Sequence, residues 1–208
     1  FFDMKKKFNK KLILFDLDGV LIDSKKNMQI SWLQVQKKFD IDVSFENYFR
    51  FVGEPFQKIL KKNGINSKNK QIETLYRQTS AKFSQKIKFF KGVEMSLSRL
   101  KEKKLKMGIV TSKDVYRTNA IISELIKFDV ISPHEKRFRG KPSPDQLLYS
   151  MAKCNCDPKE TIYIGDAKVD MMAAKRAKID FIKASWGYGN FEHKYSIDTF
   201  ADLEKIII

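Results

Sequence analysis

Six side chains scattered along this chain have types and spacings that could move a phosphoryl group: Asp16, Asp18, Thr111, Lys141, Asp166 and Asp170. The first two stand in Phe15-Asp16-Leu17-Asp18-Gly19-Val20, directly after an apolar run. Carboxylates are poor strand formers, and burying them is costly, so their presence at the end of an apolar strand calls for a chemical reason. A spacing of two starts both on one side of an extended chain. A turn eased by Gly19 would aim them at one atom and expose the amides after Asp16 as anion donors. That arrangement suits a carboxylate nucleophile, Asp16, with a separate proton carrier, Asp18. The bland alternative for the pair alone is a solvated turn with incidental acids.

Three further segments carry complementary chemistry. Val110-Thr111-Ser112 ends a second apolar run, and a hydroxyl with a fresh amide at a helix start makes a phosphate pocket from Thr111 and Ser112, although Ser and Thr also cap helices for purely structural reasons. Gly140-Lys141-Pro142-Ser143-Pro144 frames one lysine between a glycine and two prolines, so that Lys141 is held in place and can offset the charge of nucleophile and phosphate together. Ile164-Gly165-Asp166-Ala167-Lys168-Val169-Asp170 ends another apolar run with acids four residues apart, about one helical turn. Mg²⁺ takes oxygen ligands and keeps room for water and phosphate. Asp16, the Asp18 carbonyl and Asp166 would supply three oxygens, with Asp170 acting directly or through water. Several carboxylates facing a phosphate would repel it without a cation, so the set makes sense mainly with metal.

The elements that must position these groups follow from the apolar runs. Leu12–Asp16, Met107–Thr111, Phe128–Ile131, Thr161–Gly165 and Phe181–Ala184 read as short strands covered on both faces. Helical patterns separate most of them. Val93, Leu97 and Leu100 share a face, while Ser143-Pro144 and Asp157-Pro158 each read as a helix start. This predicts a doubly wound parallel α/β sheet, whose ligands bind beyond the carboxyl ends of the strands. About ninety residues separate the first two strands, far more than a crossover needs. Met28, Trp32, Val35 and Phe39 recur there at helical spacing, as do Phe56, Ile59 and Leu60, then Ile72, Leu75, Thr79, Phe83 and Ile87. The expectation is a core of residues 1–22 and 89–208 with a helical insert at 23–88.

The bulk numbers set the limits. An apolar fraction of 42% supports a packed core, and no run approaches a membrane span. The two cysteines, Cys154 and Cys156, stand one residue apart and read as reduced; with no export signal in view, the expected location is the cytoplasm. The net charge of +16 comes from lysines spread along the chain, in runs such as Lys5-Lys6-Lys7 without interleaved aromatics. This reads as a solvated surface that draws anions rather than as a nucleic-acid footprint.

Taken together, the quartet of segments resembles that of the haloacid dehalogenase superfamily of hydrolases, in a Rossmann-like core, and the insert after the first segment resembles its helical cap. Asp16-Leu17-Asp18-Gly19-Val20-Leu21-Ile22-Asp23-Ser24, Val52-Gly53-Glu54-Pro55-Phe56 and Trp186-Gly187-Tyr188-Gly189 look like the branch that includes phosphoglycolate phosphatase. The resemblance implies a Mg²⁺-dependent phosphatase that forms a phosphoaspartyl intermediate on Asp16 while hydrolysing a small phosphorylated metabolite, a sugar phosphate or something like phosphoglycolate. Asn27, Arg50 and Lys58 are the candidate substrate contacts from the cap. Two other readings stand beside it: a phosphomutase like β-phosphoglucomutase, and a basic binding protein with a vestigial site. Met28 and Phe56 stand where a mutase resemblance would place histidine and arginine. Ala167 replaces the usual Ser or Thr, and Lys178 replaces a usual Gly.

Overall fold

The computed structural model describes residues 7–123 and 125–207. Most of the lysine run at 5–7 and the expected start of the core therefore lie outside the described residues. The core elements are β1 (Leu12–Phe15), then, after the insert, α5 (Val93–Glu102), β4 (Lys106–Asp114), α6 (Val115–Ile122), β5 (Val130–His134), α7 (Asp145–Cys154), β6 (Thr161–Gly165), α8 (Lys168–Ala177), β7 (Asp180–Ala184), β8 (Ser196–Ile197) and α9 (Phe200–Ile206). Between β1 and α5 come β2 (Ile22–Asp23), α1 (Lys25–Phe39), α2 (Phe45–Phe49), α3 (Phe56–Lys62), α4 (Asn69–Lys82) and β3 (Lys88–Phe89).

The strands form a six-stranded parallel sheet in the order β5-β4-β1-β6-β7-β8. β1 is wholly buried because apolar layers cover both of its faces. Ile13 and Phe15 face a cluster with Leu97, Ile164 and Phe200, whereas Leu12 and Leu14 face one with Leu147, Tyr163 and Ala174. This is the double coverage that continuous apolar strands imply. The register pairs Phe15 with Ile109 on one side and Ile164 on the other. Asp16, Thr111 and Asp166 therefore lie at nearly the same height along the sheet and come together at one edge, although β4 itself runs on beyond it.

The insert packs Met28, Trp32, Val35, Tyr48, Ile59, Leu60, Ile72 and Tyr76 into a third apolar cluster of its own. Trp32 stacks on Tyr48 with ring centroids 4.3 Å apart. The chain leaves the core through β2 and returns through β3, which pair antiparallel (Ile22 opposite Phe89, Asp23 opposite Lys88). Among the described residues no helix is long and apolar enough to cross a membrane.

Several expectations need correction. The second strand continues past Thr111 to Asp114, and the helix starts only at Val115, because Asp114 is the N-cap and its side chain accepts from the Arg117 amide at 3.1 Å. Ser143 is not a cap: α7 begins at Asp145 after Pro144, and the Ser143 hydroxyl donates to Asp145 instead. Asp157-Pro158 opens a single 3₁₀ turn, Pro158–Glu160. The pattern through Phe83 and Ile87 breaks when α4 ends at Lys82. β8, too short to carry a pattern, escaped the sequence reading. Cys154 and Cys156 are buried and free. Lys178 sits at φ +58° as the cap that ends α8, the left-handed conformation in which glycine is free of strain.

Candidate active site

Asp16, Asp166 and Asp170 are buried and offer oxygens that all lie within 4.8 Å of one another. Lys141, 1% exposed, donates from Nζ to Asp16 Oδ1 at 2.8 Å and to Asp170 Oδ1 at 2.7 Å. Burial alone would lower the pKa of this lysine, but Asp16 and Asp170 together hold it above its ordinary value. Asp16 is raised well above the carboxylate range by burial, with Lys141 opposing and Asp170 and Asp166 reinforcing. Burial and Asp170 push Asp166 up to about 7, against amide hydrogen bonds from Tyr188 and Gly189. One buried ammonium thus faces three buried carboxylates, a surplus of negative charge that a divalent cation would neutralise.

Each acid is held by its own local framework. Asp16 Oδ1 also accepts from the Leu17 amide at 2.8 Å. That amide and the one of Gly19, which donates to the Ile22 carbonyl, are committed within the turn, so they are not the anion donors anticipated from sequence. Gly19 has φ +86°, and a Cβ on it would come within 2.4 Å of Asp166 Oδ2. Only glycine lets the turn bring Asp18 round while Asp166 stays in place. Asp170 Oδ2 accepts from the Ala167 amide at 3.0 Å, half of a capping box at the start of α8; alanine cannot supply the reciprocal hydroxyl. The Tyr163 hydroxyl lies 3.1 Å from Asp170 Oδ1 and 3.1 Å from the Val110 carbonyl. Burial, with Asp170 next, raises the Tyr163 pKa well above its usual value, so it remains a donor. Asp170 therefore chiefly fixes Lys141, with Oδ2 turned to the helix start. Against Asp166, the Tyr188 amide donates to Oδ2 at 2.6 Å, and a Cβ on Gly189 would come within 1.9 Å of the Asp166 carbonyl. The loop carrying Gly187 and Gly189 is thus pressed onto Asp166.

Asp18 lies on the side facing the insert. Ser24 donates to its Oδ1, and Lys113 Nζ stands 3.0 Å from the same oxygen. The Ser24 amide donates to the Tyr188 hydroxyl at 2.7 Å, which ties the start of α1 to the loop over Asp166. Thr111 is 1% exposed, and its carbonyl accepts from Gln146 Nε2 at 2.9 Å, which holds the bulged end of β4 at the site. The Ser112 hydroxyl turns to the cap and donates to the Gly53 carbonyl at 2.6 Å.

The three cap candidates divide. Arg50 lines a cavity of about 440 Å³ that opens onto Asp16, Asp18 and Asp166 between the 49–54 loop and residues 188–191. Lys58 is exposed and reaches the Arg139 carbonyl at 3.3 Å, outside that cavity. Asn27 is no substrate contact. It is buried, its Nδ2 donates to the Ser80 and Phe83 carbonyls, and its Oδ1 accepts from Ser80, bracing α1 against α4. The sequence reading missed Ser24, Lys113, Arg117, Tyr163 and Tyr188. For Lys113 a signal existed: on a strand that runs past Thr111, period two places positions 111 and 113 on one side.

Parallel strands that present three buried aspartates and one buried lysine at their carboxyl-side edge, under a helical insert, mark an α/β protein with an aspartate-centred site. Residues 13–184 match the model of the haloacid dehalogenase-like hydrolase family, and the chain belongs to that family. It is 28% identical to pyrophosphatase PpaX of Anoxybacillus flavithermus, over 93% of this chain and 92% of that one. It is 25% identical to phosphoglycolate phosphatase of Aquifex aeolicus, over 95% and 96%. A crystal structure from Lactobacillus plantarum shares the fold at a TM-score of 0.88 with 21% identity, covering 96% of this chain and 100% of that one.

Proposed function

We propose that this protein is a Mg²⁺-dependent phosphatase of a small phosphorylated metabolite, working through a phosphoaspartyl intermediate on Asp16, with residues 23–88 as its cap. The observation that carries the reading is the buried cluster in which three carboxylates meet one lysine, with Asp16 and Asp166 driven toward protonation by burial first and by the neighbouring carboxylates after it. Oxygen donors, burial and excess negative charge all fit a hard divalent cation. Asp16, Asp166 and the Asp18 carbonyl would hold it, with Asp170 behind them. When bound, the ion offsets the charge of the substrate phosphate.

The chain's own groups do the rest. Lys141 and the Leu17 amide fix Asp16 Oδ1, leaving Oδ2 to attack phosphorus as the ester oxygen departs. Asp18, held by Ser24, gives its proton to that oxygen. It then takes a proton from the water that cleaves the Asp16–phosphoryl bond, which frees phosphate and restores both acids. Thr111 and Lys141 bind the non-reacting phosphate oxygens, and the cap excludes bulk water. Met28 and Phe56 present apolar groups to the chamber under the cap, which removes support from the mutase reading.

The test is phosphate release across sugar phosphates, nucleotides and small phosphorylated acids with Mg²⁺, with Asp16→Asn as the blank. Metal-dependent release lost in Asp16→Asn supports the proposal. Silence across the panel, or full activity in Asp16→Asn, refutes it, and isomerised product without free phosphate would restore the mutase.

A further inference from the structure

Ser24 is the N-cap of α1 and is fully buried, a position from which a serine oxygen ordinarily accepts from an amide of the first helical turn. It makes no such bond and donates to Asp18 Oδ1 instead. The Lys25 amide turns to Asp23 Oδ1 at 3.2 Å. A buried hydroxyl withdrawn from its own helix and aimed at a site carboxylate fixes the way that carboxylate points. The question is then what fixes Ser24.

The answer is the side chain of Tyr188. Its hydroxyl accepts from the Ser24 amide at 2.7 Å and donates to Asp23 Oδ1 at 3.0 Å. The backbone of the same residue belongs to the floor, where the Tyr188 amide donates to Asp166 Oδ2 at 2.6 Å. The glycines on either side make that seat tight. A Cβ on Gly187 would come within 2.3 Å of Asp166 Cβ and 2.6 Å of the Gly19 carbonyl; one on Gly189 would come within 1.9 Å of the Asp166 carbonyl. Trp186 Nε1 donates to the Val20 carbonyl at 3.1 Å, so the loop also grips the turn that follows Asp18. One residue therefore spans from the acid after β6 to the hydroxyl that orients the acid after β1.

We infer that Tyr188 is a positioning residue: seated on Asp166 by its amide, it uses its hydroxyl to fix Ser24 and, through Ser24, the orientation of the Asp18 carboxylate. The inference rests on the phosphatase reading above and adds to it the device that keeps Asp18 in register with Asp166. Groups that act on one phosphoryl centre must be held to within about 0.5 Å, and hydrogen bonds from outside the reacting set supply that precision. Lys113 Nζ, 3.0 Å from Asp18 Oδ1, stays in place when the Ser24 hydroxyl is lost, so the effect is partial. The Tyr188 ring also meets Phe49 of the cap, with centroids 5.1 Å apart. Phenylalanine at position 188 keeps that contact and the amide on Asp166, and removes the hydroxyl alone.

The test compares wild type, Tyr188→Phe, Ser24→Ala and the double variant, with Mg²⁺, on the phosphomonoester that wild type hydrolyses fastest. Tyr188→Phe is expected to lower kcat about tenfold with KM within about twofold. Ser24→Ala should lower it at least as far, and Ser24→Thr, which keeps the hydroxyl, should recover most of the loss. The double variant should match Ser24→Ala within about twofold, because without the Ser24 hydroxyl the Tyr188 hydroxyl has no route to Asp18. The melting-temperature gain from Mg²⁺ should be the same in Tyr188→Phe as in wild type, since the bond to Asp166 comes from the backbone. An unchanged kcat in folded Tyr188→Phe overturns the inference, and so do losses that multiply in the double variant or a change confined to KM. Loss of the Mg²⁺ gain in Tyr188→Phe overturns it too, by assigning the hydroxyl to the ion. If Tyr188→Phe does not fold, Ser24 carries the test: equal kcat in Ser24→Ala and wild type removes the link to Asp18. Any of these results leaves the phosphatase reading standing, whereas wild type silent on every phosphomonoester fells both.

Discussion

The floor of the site and the cap above it are held by different means. On the floor, Asp16, Thr111 and Asp166 stand on or directly after parallel strands whose ladders fix their relative height, and each is held by a hydrogen-bond partner, Leu17, Gln146 and Tyr188 in turn. The cap meets the floor through a few polar bridges, chiefly Ser112 to Gly53, Lys58 to Arg139 and Arg117 to Ser80, and through the Phe49–Tyr188 ring contact at 5.1 Å. On the proposed function, the difference would separate rate from choice: the reacting groups sit on paired strands, and the selecting groups sit where a small rearrangement would admit or release a molecule.

The largest test of this division is Asp16→Asn. Phosphate release should fall by at least about 10⁴-fold, while the metal-free melting temperature holds or rises, because one carboxylate leaves a crowded acidic cluster. A large drop in stability would mean that the floor needs this charge for folding.

Next comes Lys141→Met, which removes the one ammonium shared by Asp16 and Asp170. Breaking a buried pair costs about 3–5 kcal/mol. Urea unfolding at neutral pH without metal should show it, and the cost should shrink as pH falls, because burial raises Asp16 and favours its neutral form.

Metal linkage is smaller. Asp16 and Asp166 have native pKa values above their unfolded ones, to about 7 for Asp166, so the metal-free protein binds extra protons between about pH 4 and 7. Its stability therefore falls as pH rises through that window. Mg²⁺ competes with those protons, so the melting-temperature gain at fixed Mg²⁺ should grow from pH 5 to 7.5. A gain independent of pH would place the ion elsewhere.

Ser112→Ala should have the smallest effect. Losing the bond to the Gly53 carbonyl costs about 1 kcal/mol of cap closure, seen as a KM increase of about fivefold with kcat nearly kept. A fall in kcat alone would assign Ser112 to the floor.

Legibility in the sequence divides along the same line. The acids and Lys141 stood out because carboxylates at the end of apolar runs and a lysine between prolines contradict local expectation. Arg117 and Lys113 had no such contrast in a chain with 41 lysines and arginines. Placing them required knowing that β4 runs on to Asp114 and that Asp114, not Thr111, caps the following helix. The apolar spacing of the insert identified its helices, but Asn27 was misjudged. A buried amide that satisfies backbone groups on a neighbouring helix has no signature in its own sequence neighbourhood.

The short pairing of β2 with β3 has a consequence for diversification. Because the chain departs and returns through two adjacent strands, everything between them is a cassette on a single doorway. Replacing that cassette with another helical unit of matching ends would leave Asp16, Lys141, Asp166 and Asp170 in place, while Asp18 would keep its support only if Ser24 were retained. A chimera grafted at Ile22–Asp23 and Lys88–Phe89 is the natural place to begin.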